Sequence, residues 1–258
     1  MKEFLGIGGY QREPEGYFSW QHLVFVTSLV LIMIALAILF GRKNAKRDEA
    51  KKNLVLIVSA ILIDAFELFK IIIICIRSED LSCLIHLFPL FLCSIQLITI
   101  PLAAFSHGRV KEAALDFVFI FGMLGAILGT YAAGNNYACY PVLSLDNVVS
   151  GITHCISGFA SLYIGISGMA SMKRKNIPIT FAILFSFGIL AYITNIITEE
   201  TNYMFLMRGD GTPYDIIYNL VGGNPVIYPI LVMLLFVIYI LAFNFIFNYA
   251  KRKISQKK

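Results

Sequence analysis

Seven long apolar stretches set the limits on what this chain can fold into: Phe18–Phe40, Leu54–Ile76, Leu81–Phe105, Ala113–Ala133, Val148–Ser171, Ile177–Thr198 and Val226–Tyr249. Each is close to the ~20 residues that a helix needs to cross a bilayer. In hydrocarbon every backbone polar group must be paired internally, which leaves helices or closed barrels as solutions. The stretches are continuously apolar rather than alternating, which excludes a β-barrel. Charged residues make up 14% of the chain and hydrophobic ones 58%, whereas soluble domains carry about 25% charged residues. The expected fold is therefore all-α: a polytopic membrane protein with seven transmembrane helices in one bundle over residues 1–258.

The basic residues orient that bundle. Arg42, Lys43, Lys46, Arg47, Lys51 and Lys52 follow the first stretch, and Arg109 and Lys111 follow the third. Lys173, Arg174 and Lys175 follow the fifth, and Lys251, Arg252, Lys253, Lys257 and Lys258 end the chain. The opposite side holds Lys2, Arg12, Arg77 and Arg208. Cytoplasmic loops carry the excess of Lys and Arg, so the N-terminus is expected outside and the C-terminus in the cytoplasm of a multi-pass cell-membrane protein. The net charge of +5 comes from these short clusters beside apolar segments, so no nucleic-acid partner is implied. Residues 1–17 read as a short outer segment and 199–225 as an outer loop or lid with turn signals. Residues 250–258 read as a basic tail. No cleavable signal peptide is evident, because Glu3, Glu13 and Glu15 punctuate the start.

Polar residues inside the stretches converge on the outer half. His22 lies about one turn below the outer face, and Asp64 near mid-depth with Glu67 and Lys70 above it. His86 stands at the mouth of the third stretch, with Cys93 seven residues on and Gln96 three beyond, a spacing that puts them on one stripe of a helix. His154 lies about two turns down, and Asn195 near the upper end of the sixth stretch. Ionisable residues inside membrane segments mark functional sites by default. Bland readings compete: a lone Cys is commonly a packing residue, end-of-helix histidines are commonly interfacial, Asp64–Glu67–Lys70 serves as an ion-pair network, and Asn195 as an interhelical hydrogen bonder. Their shared depth favours one outward-opening cavity.

Four segments resemble the YwaF / transmembrane protein 164 family of integral membrane proteins. PLFLCSIQL (Pro89 to Leu97) is similar to that family's Leu-Pro-Leu-His-Leu-Cys-Ser stretch, and FSWQHLVFV (Phe18 to Val26) to its first-helix His segment. THCISGFASLYIG (Thr153 to Gly165) is similar to its helix-5 His segment, and NYMFLMRGDGTP (Asn202 to Pro213) to its Asn-Tyr-Phe loop. The resemblance implies lipid acyl transfer, with Cys93 at the position of the nucleophile and His154 at that of the partner His. One position departs: where the family motif has His two residues before the Cys, this chain has Phe91.

A Cys thiol is mostly protonated at neutral pH and needs a base to become nucleophilic. A tetrahedral oxyanion needs hydrogen-bond donors, for which Gln96, Ser94 and Asn195 are candidates. The expected partners are membrane phospholipids, and no cofactor or metal is called for. Two alternatives stand beside acyl transfer: a transporter or permease built on Asp64, Glu67 and Lys70, and a non-catalytic lipid-binding protein. Cys75, Cys83 and Cys139 lie at outer ends or in a loop, where two of them could pair in an oxidising compartment.

Overall fold

A computed structural model describes residues 1–256; Lys257 and Lys258, part of the basic tail, lie outside the described residues. The chain is all-helical, with no strand among the described residues. Its helices are α1 (Lys2–Leu5), α2 (Trp20–Asn44), α3 (Glu49–Ser78), α4 (Gln96–Phe105), α5 (Gly108–Tyr131), α6 (Gly134–Cys139), α7 (Leu145–Ser167), α8 (Ile177–Thr198), α9 (Tyr214–Leu220) and α10 (Ile227–Ser255). The described residues form two compact units, one of 1–89 and 96–171, the other of 90–95 and 172–256.

Local chemistry sets the helix ends. Ser19, Asp48 and Ser144 each accept a backbone N–H of the first turn, from His22, Lys51 and Asn147, at 3.2, 2.8 and 3.3 Å, which satisfies donors that a helix start leaves open. α7 stops where Gly168 takes a left-handed φ of 76°. Pro178 sits in the first turn of α8, where its missing N–H costs nothing.

Among the described residues five helices are long and apolar enough to cross a membrane: α2, α5, α7, α8 and α10. Two of the seven expected stretches are not among them. α3 has the length, but Asp64, Glu67 and Lys70 interrupt its apolar run. The third stretch, expected as one helix over Leu81–Phe105, is broken. It starts as a 3-10 turn (Leu81–His86), loses regular structure through residues 87–95, and resumes only as the ten-residue α4. Pro89 supplies the reason, since a proline disfavours helical geometry at the residue before it and clashes with the preceding turn. The helical stripe expected to align His86 with Cys93 therefore does not exist.

In the first unit α7 is the central helix, packed against α5, α2 and α3. Its buried side is rich in small residues, Gly151, Ser157, Gly158, Ala160 and Ser161 among them, which let helix backbones approach closely in a membrane. Ser161 donates to the Phe119 carbonyl at 2.8 Å, and Tyr163 to that of Lys52 at 3.0 Å. Buried Asp116 on α5 accepts the Ser171 N–H at 3.0 Å.

The N-terminal segment is tied into this unit. Arg77, at the end of α3, makes a bidentate pair with Asp146 at the start of α7, at 2.7 and 2.8 Å. Tyr10 donates to the same carboxylate at 2.6 Å. Burial, then the hydrogen bond to Asp146, pushes the Tyr10 phenol up to about 12. Glu15 accepts the Val142 N–H at 2.7 Å and pairs with Arg12.

In the second unit the connection after α8 is ordered. Asn195 is buried, and its Oδ1 accepts the Tyr203 N–H at 2.8 Å and the Thr201 hydroxyl at 2.9 Å, while its Nδ2 donates to the Tyr203 carbonyl at 3.0 Å. Asn202 donates to the Arg208 carbonyl at 2.8 Å and accepts the Met207 N–H at 3.0 Å. Tyr203, Met204 and Leu206 are buried, and Met204 and Phe205 both hold positive φ, 54° and 56°. Such backbone persists only where its surroundings over-determine it.

Candidate functional site

The first unit brings two of the candidate residues to one turn of α5. His22, from the first turn of α2, is fully buried, and its ring lies 3.9 Å from that of Tyr137. Its Nδ1 faces the Phe18 N–H at 3.2 Å, and its Nε2 faces the Thr130 carbonyl at 3.1 Å. A backbone N–H only donates and a carbonyl only accepts, so the neutral ring carries its proton on Nε2 and both nitrogens are engaged. His22 therefore ties α2 to α5 and holds no lone pair in reserve.

His154 meets the adjacent residue of the same turn. A Cβ built at Gly129 would overlap the His154 ring, so the missing side chain makes the notch that the imidazole fills. Nδ1 of His154 lies 2.7 Å from the Ser150 carbonyl one turn earlier on α7. Because a carbonyl only accepts, Nδ1 carries the proton, and Nε2 holds the lone pair of the neutral ring. The ring is half-buried. The two ring geometries thus point to opposite tautomers, Nε2–H for His22 and Nδ1–H for His154.

Gln96, the first residue of α4, is fully buried. Its Oε1 accepts the Thr99 hydroxyl at 3.0 Å, and its Nε2 has no hydrogen-bond partner among the described residues. On α3, Lys70 and Glu67 form an ion pair at 2.7 Å, both side chains largely covered. Asp64 is exposed, as are its neighbours Ile61, Leu62, Ala65 and Leu68. Shared depth does not give the three one environment: Glu67 and Lys70 are largely covered, whereas Asp64 lies on an exposed face of the helix. His86 closes the 3-10 turn and is exposed.

Cys93 belongs to the second unit and sits half-buried in a single helical turn. The Ile95 N–H donates to the Phe91 carbonyl at 3.0 Å. Ser94 braces the same turn: its hydroxyl donates to the Phe91 carbonyl and accepts the Phe91 N–H, each at 3.1 Å. The ring of Phe91 packs against Tyr203 and Phe205, with centroids 5.0 and 5.8 Å apart. Phe205 stacks in turn on Tyr214. The segment that carries Cys93 is therefore seated on the loop that follows α8.

Of the three candidate oxyanion donors, two have other work. The Ser94 hydroxyl braces the Cys93 turn, and the Asn195 amide secures residues 201–203. Gln96 Nε2 is the remaining donor.

A family model matches residues 17–247. The chain belongs to the TMEM164 family. The match runs from ahead of α2 nearly to the end of α10 and takes in every candidate residue named above, and it bears out the resemblance drawn from the four segments. Comparison with curated proteins and with solved structures gave no match. Membership in the TMEM164 family accords with the all-helical, multi-pass architecture.

Sequence reasoning missed the partners that give these residues their roles. Gly129, Thr130 and the Ser150 carbonyl set how the two histidine rings sit, yet glycines and backbone carbonyls leave no mark in a list of polar side chains. Phe91 was visible as a departure from the family motif, but its packing on Tyr203 and Phe205 was not. The Arg77–Asp146 pair was also missed, because its partners lie in distant parts of the sequence. Among the described residues no group of three or more His, Cys, Asp or Glu side chains could hold a metal ion.

Proposed function

We propose that this TMEM164-family protein is a membrane-embedded acyltransferase that uses Cys93 as nucleophile and His154 as base on phospholipid esters. The observation that carries the reading is the tautomer of His154: its Nδ1–H is held by the Ser150 carbonyl, so Nε2 is the basic nitrogen. The basic-residue asymmetry adds a topology, N-terminus outside and C-terminus cytoplasmic in the cell membrane, which would present the site to the outer leaflet.

In this reading His154 Nε2 takes the Cys93 proton, and the thiolate attacks the carbonyl carbon of a glycerophospholipid ester. The tetrahedral oxyanion is stabilised by Gln96 Nε2, three residues along the chain from the nucleophile. Collapse breaks the ester C–O bond, and the departing lysophospholipid alkoxide receives the proton from the His154 imidazolium. A thioester now joins the acyl group to Cys93. The hydroxyl of an acceptor lipid, deprotonated by His154, attacks that thioester, and the thiolate leaves and recovers its proton. Each half-reaction ends with His154 neutral, its Nδ1–H still on the Ser150 carbonyl.

The test is lipid mass spectrometry after reconstitution in phospholipid vesicles, with wild type beside Cys93→Ala and His154→Ala. Transfer of acyl chains by the wild type and its loss in both variants supports the reading. Full transfer by Cys93→Ala overturns the nucleophile, and absence of any acyl exchange by folded wild type across phospholipid classes overturns the function.

A further inference from the structure

We propose that Cys75 and Cys83 form a redox-active pair, a disulfide site that clamps the 3-10 turn to the end of α3. Their sulfurs lie 3.5 Å apart as free thiols. The local chain has been folded to bring them there. α3 ends at Glu79, whose left-handed φ of 53° reverses the backbone. Asp80 then caps the 3-10 turn by accepting the Ser82 N–H at 3.0 Å. The Ser78 hydroxyl reaches the carbonyls of both Cys75 and Asp80, at 3.3 and 2.8 Å. These contacts return residue 83 to the side of residue 75. Cys139 is exposed on α6, and Cys155 is buried on α7. A disulfide needs its sulfurs at about 2.05 Å, so closure asks for side-chain rotation over the remaining gap within a turn that already holds both.

The step uses a disulfide as oxidant, small-molecule or protein. The thiolate of one cysteine attacks a sulfur of the incoming disulfide and displaces one thiolate, which gives a mixed disulfide. The other cysteine, as thiolate, attacks the protein-side sulfur of that bond and displaces the second thiolate. Two protein thiols are oxidised to one disulfide, the oxidant is reduced to two thiols, and the two protons released by the cysteines go to the leaving groups. Closure links α3 directly to the segment that leads toward Cys93, and it is favoured where that end of the molecule faces an oxidising compartment. The inference stands independently of the acyltransferase reading.

The test takes the full-length protein in detergent, exposes it to buffers of oxidised and reduced glutathione, quenches with acid, and alkylates the remaining thiols with N-ethylmaleimide under denaturing conditions. Peptide mass spectrometry without reduction then maps each cysteine. The expected result is a Cys75–Cys83 cross-linked peptide that disappears on reduction, is unchanged in Cys139→Ser, and is replaced in Cys83→Ser by a glutathione adduct on Cys75. Wild type in which Cys75 and Cys83 remain alkylated or carry separate glutathiones, or in which either one cross-links to Cys139, overturns the proposal. The wild-type map decides the question without relying on the folding of any variant.

Discussion

The ring of His154 occupies the place that a side chain at Gly129 would fill. The orientation of the imidazole thus depends on an α5 residue that has no functional group of its own.

Gly129→Ala tests that dependence. The added methyl forces the ring to move or α5 and α7 to separate, and overpacking of this kind costs about 1–3 kcal/mol. The expected outcome is a lowered melting temperature together with loss of acyl transfer in the folded fraction. Unchanged melting and unchanged activity would show that the notch has slack.

His22 and His154 should fail differently. His22→Ala leaves the Phe18 N–H and the Thr130 carbonyl without their partner, and an unsatisfied buried group costs about 1–3 kcal/mol. It should reduce thermal stability while sparing activity per folded molecule. His154→Ala should do the reverse, removing acyl transfer with a smaller change in melting temperature. Thermal unfolding in detergent and lipid mass spectrometry on the same preparations separate the two.

Asn195→Leu should free the connection after α8. It removes three hydrogen bonds to Thr201 and Tyr203, each group left unmade costing about 1–3 kcal/mol if it stays buried. Amide hydrogen exchange should rise across residues 201–206. Protection there equal to that of wild type would show that the buried Tyr203, Met204 and Leu206 suffice to hold the loop.

Acid should loosen the N-terminal segment through Glu15. Burial pushes this carboxyl up, but the Val142 N–H and the Arg12 guanidinium more than offset it, and the net pKa lies below the ordinary glutamate range. A carboxyl lowered in the folded state contributes stability that is fully present above its unfolded pKa and is lost as pH falls through the folded one. Protection of the Val142 amide should therefore hold at neutral pH and fall only below about pH 4. Glu15→Gln should abolish that pH dependence, and a Val142 amide equally protected throughout the acid range would contradict the role given to Glu15.

The sequence disclosed much of this fold for a simple reason: a helix that crosses lipid needs an apolar run of about 20 residues, and α2, α5, α7, α8 and α10 each hold a run of that kind. It misled at Leu81–Phe105 because hydropathy records composition, whereas the break there comes from Pro89 and from Ser94, whose hydroxyl binds the backbone of Phe91. The Glu67–Lys70 pair followed from spacing, since residues three apart share a helix face. Asp64 shares that spacing but lies exposed, because the neighbours of α3 do not cover that side. Cys93 and His154 could be nominated from residue type and family likeness. The difference between His154 and His22 could not, since it resides in which backbone atom faces which ring nitrogen.

The bidentate contact of Arg77 with Asp146 also bears on biogenesis. Translation proceeds at about 5–20 residues per second, so several seconds separate the synthesis of the guanidinium from that of its carboxylate. During that interval Tyr10 has no carboxylate to bind and Glu15 has no Val142 amide to accept. Tyr10 and Glu15 of a nascent chain can therefore tether the N-terminal segment only once the start of α7 has left the ribosome.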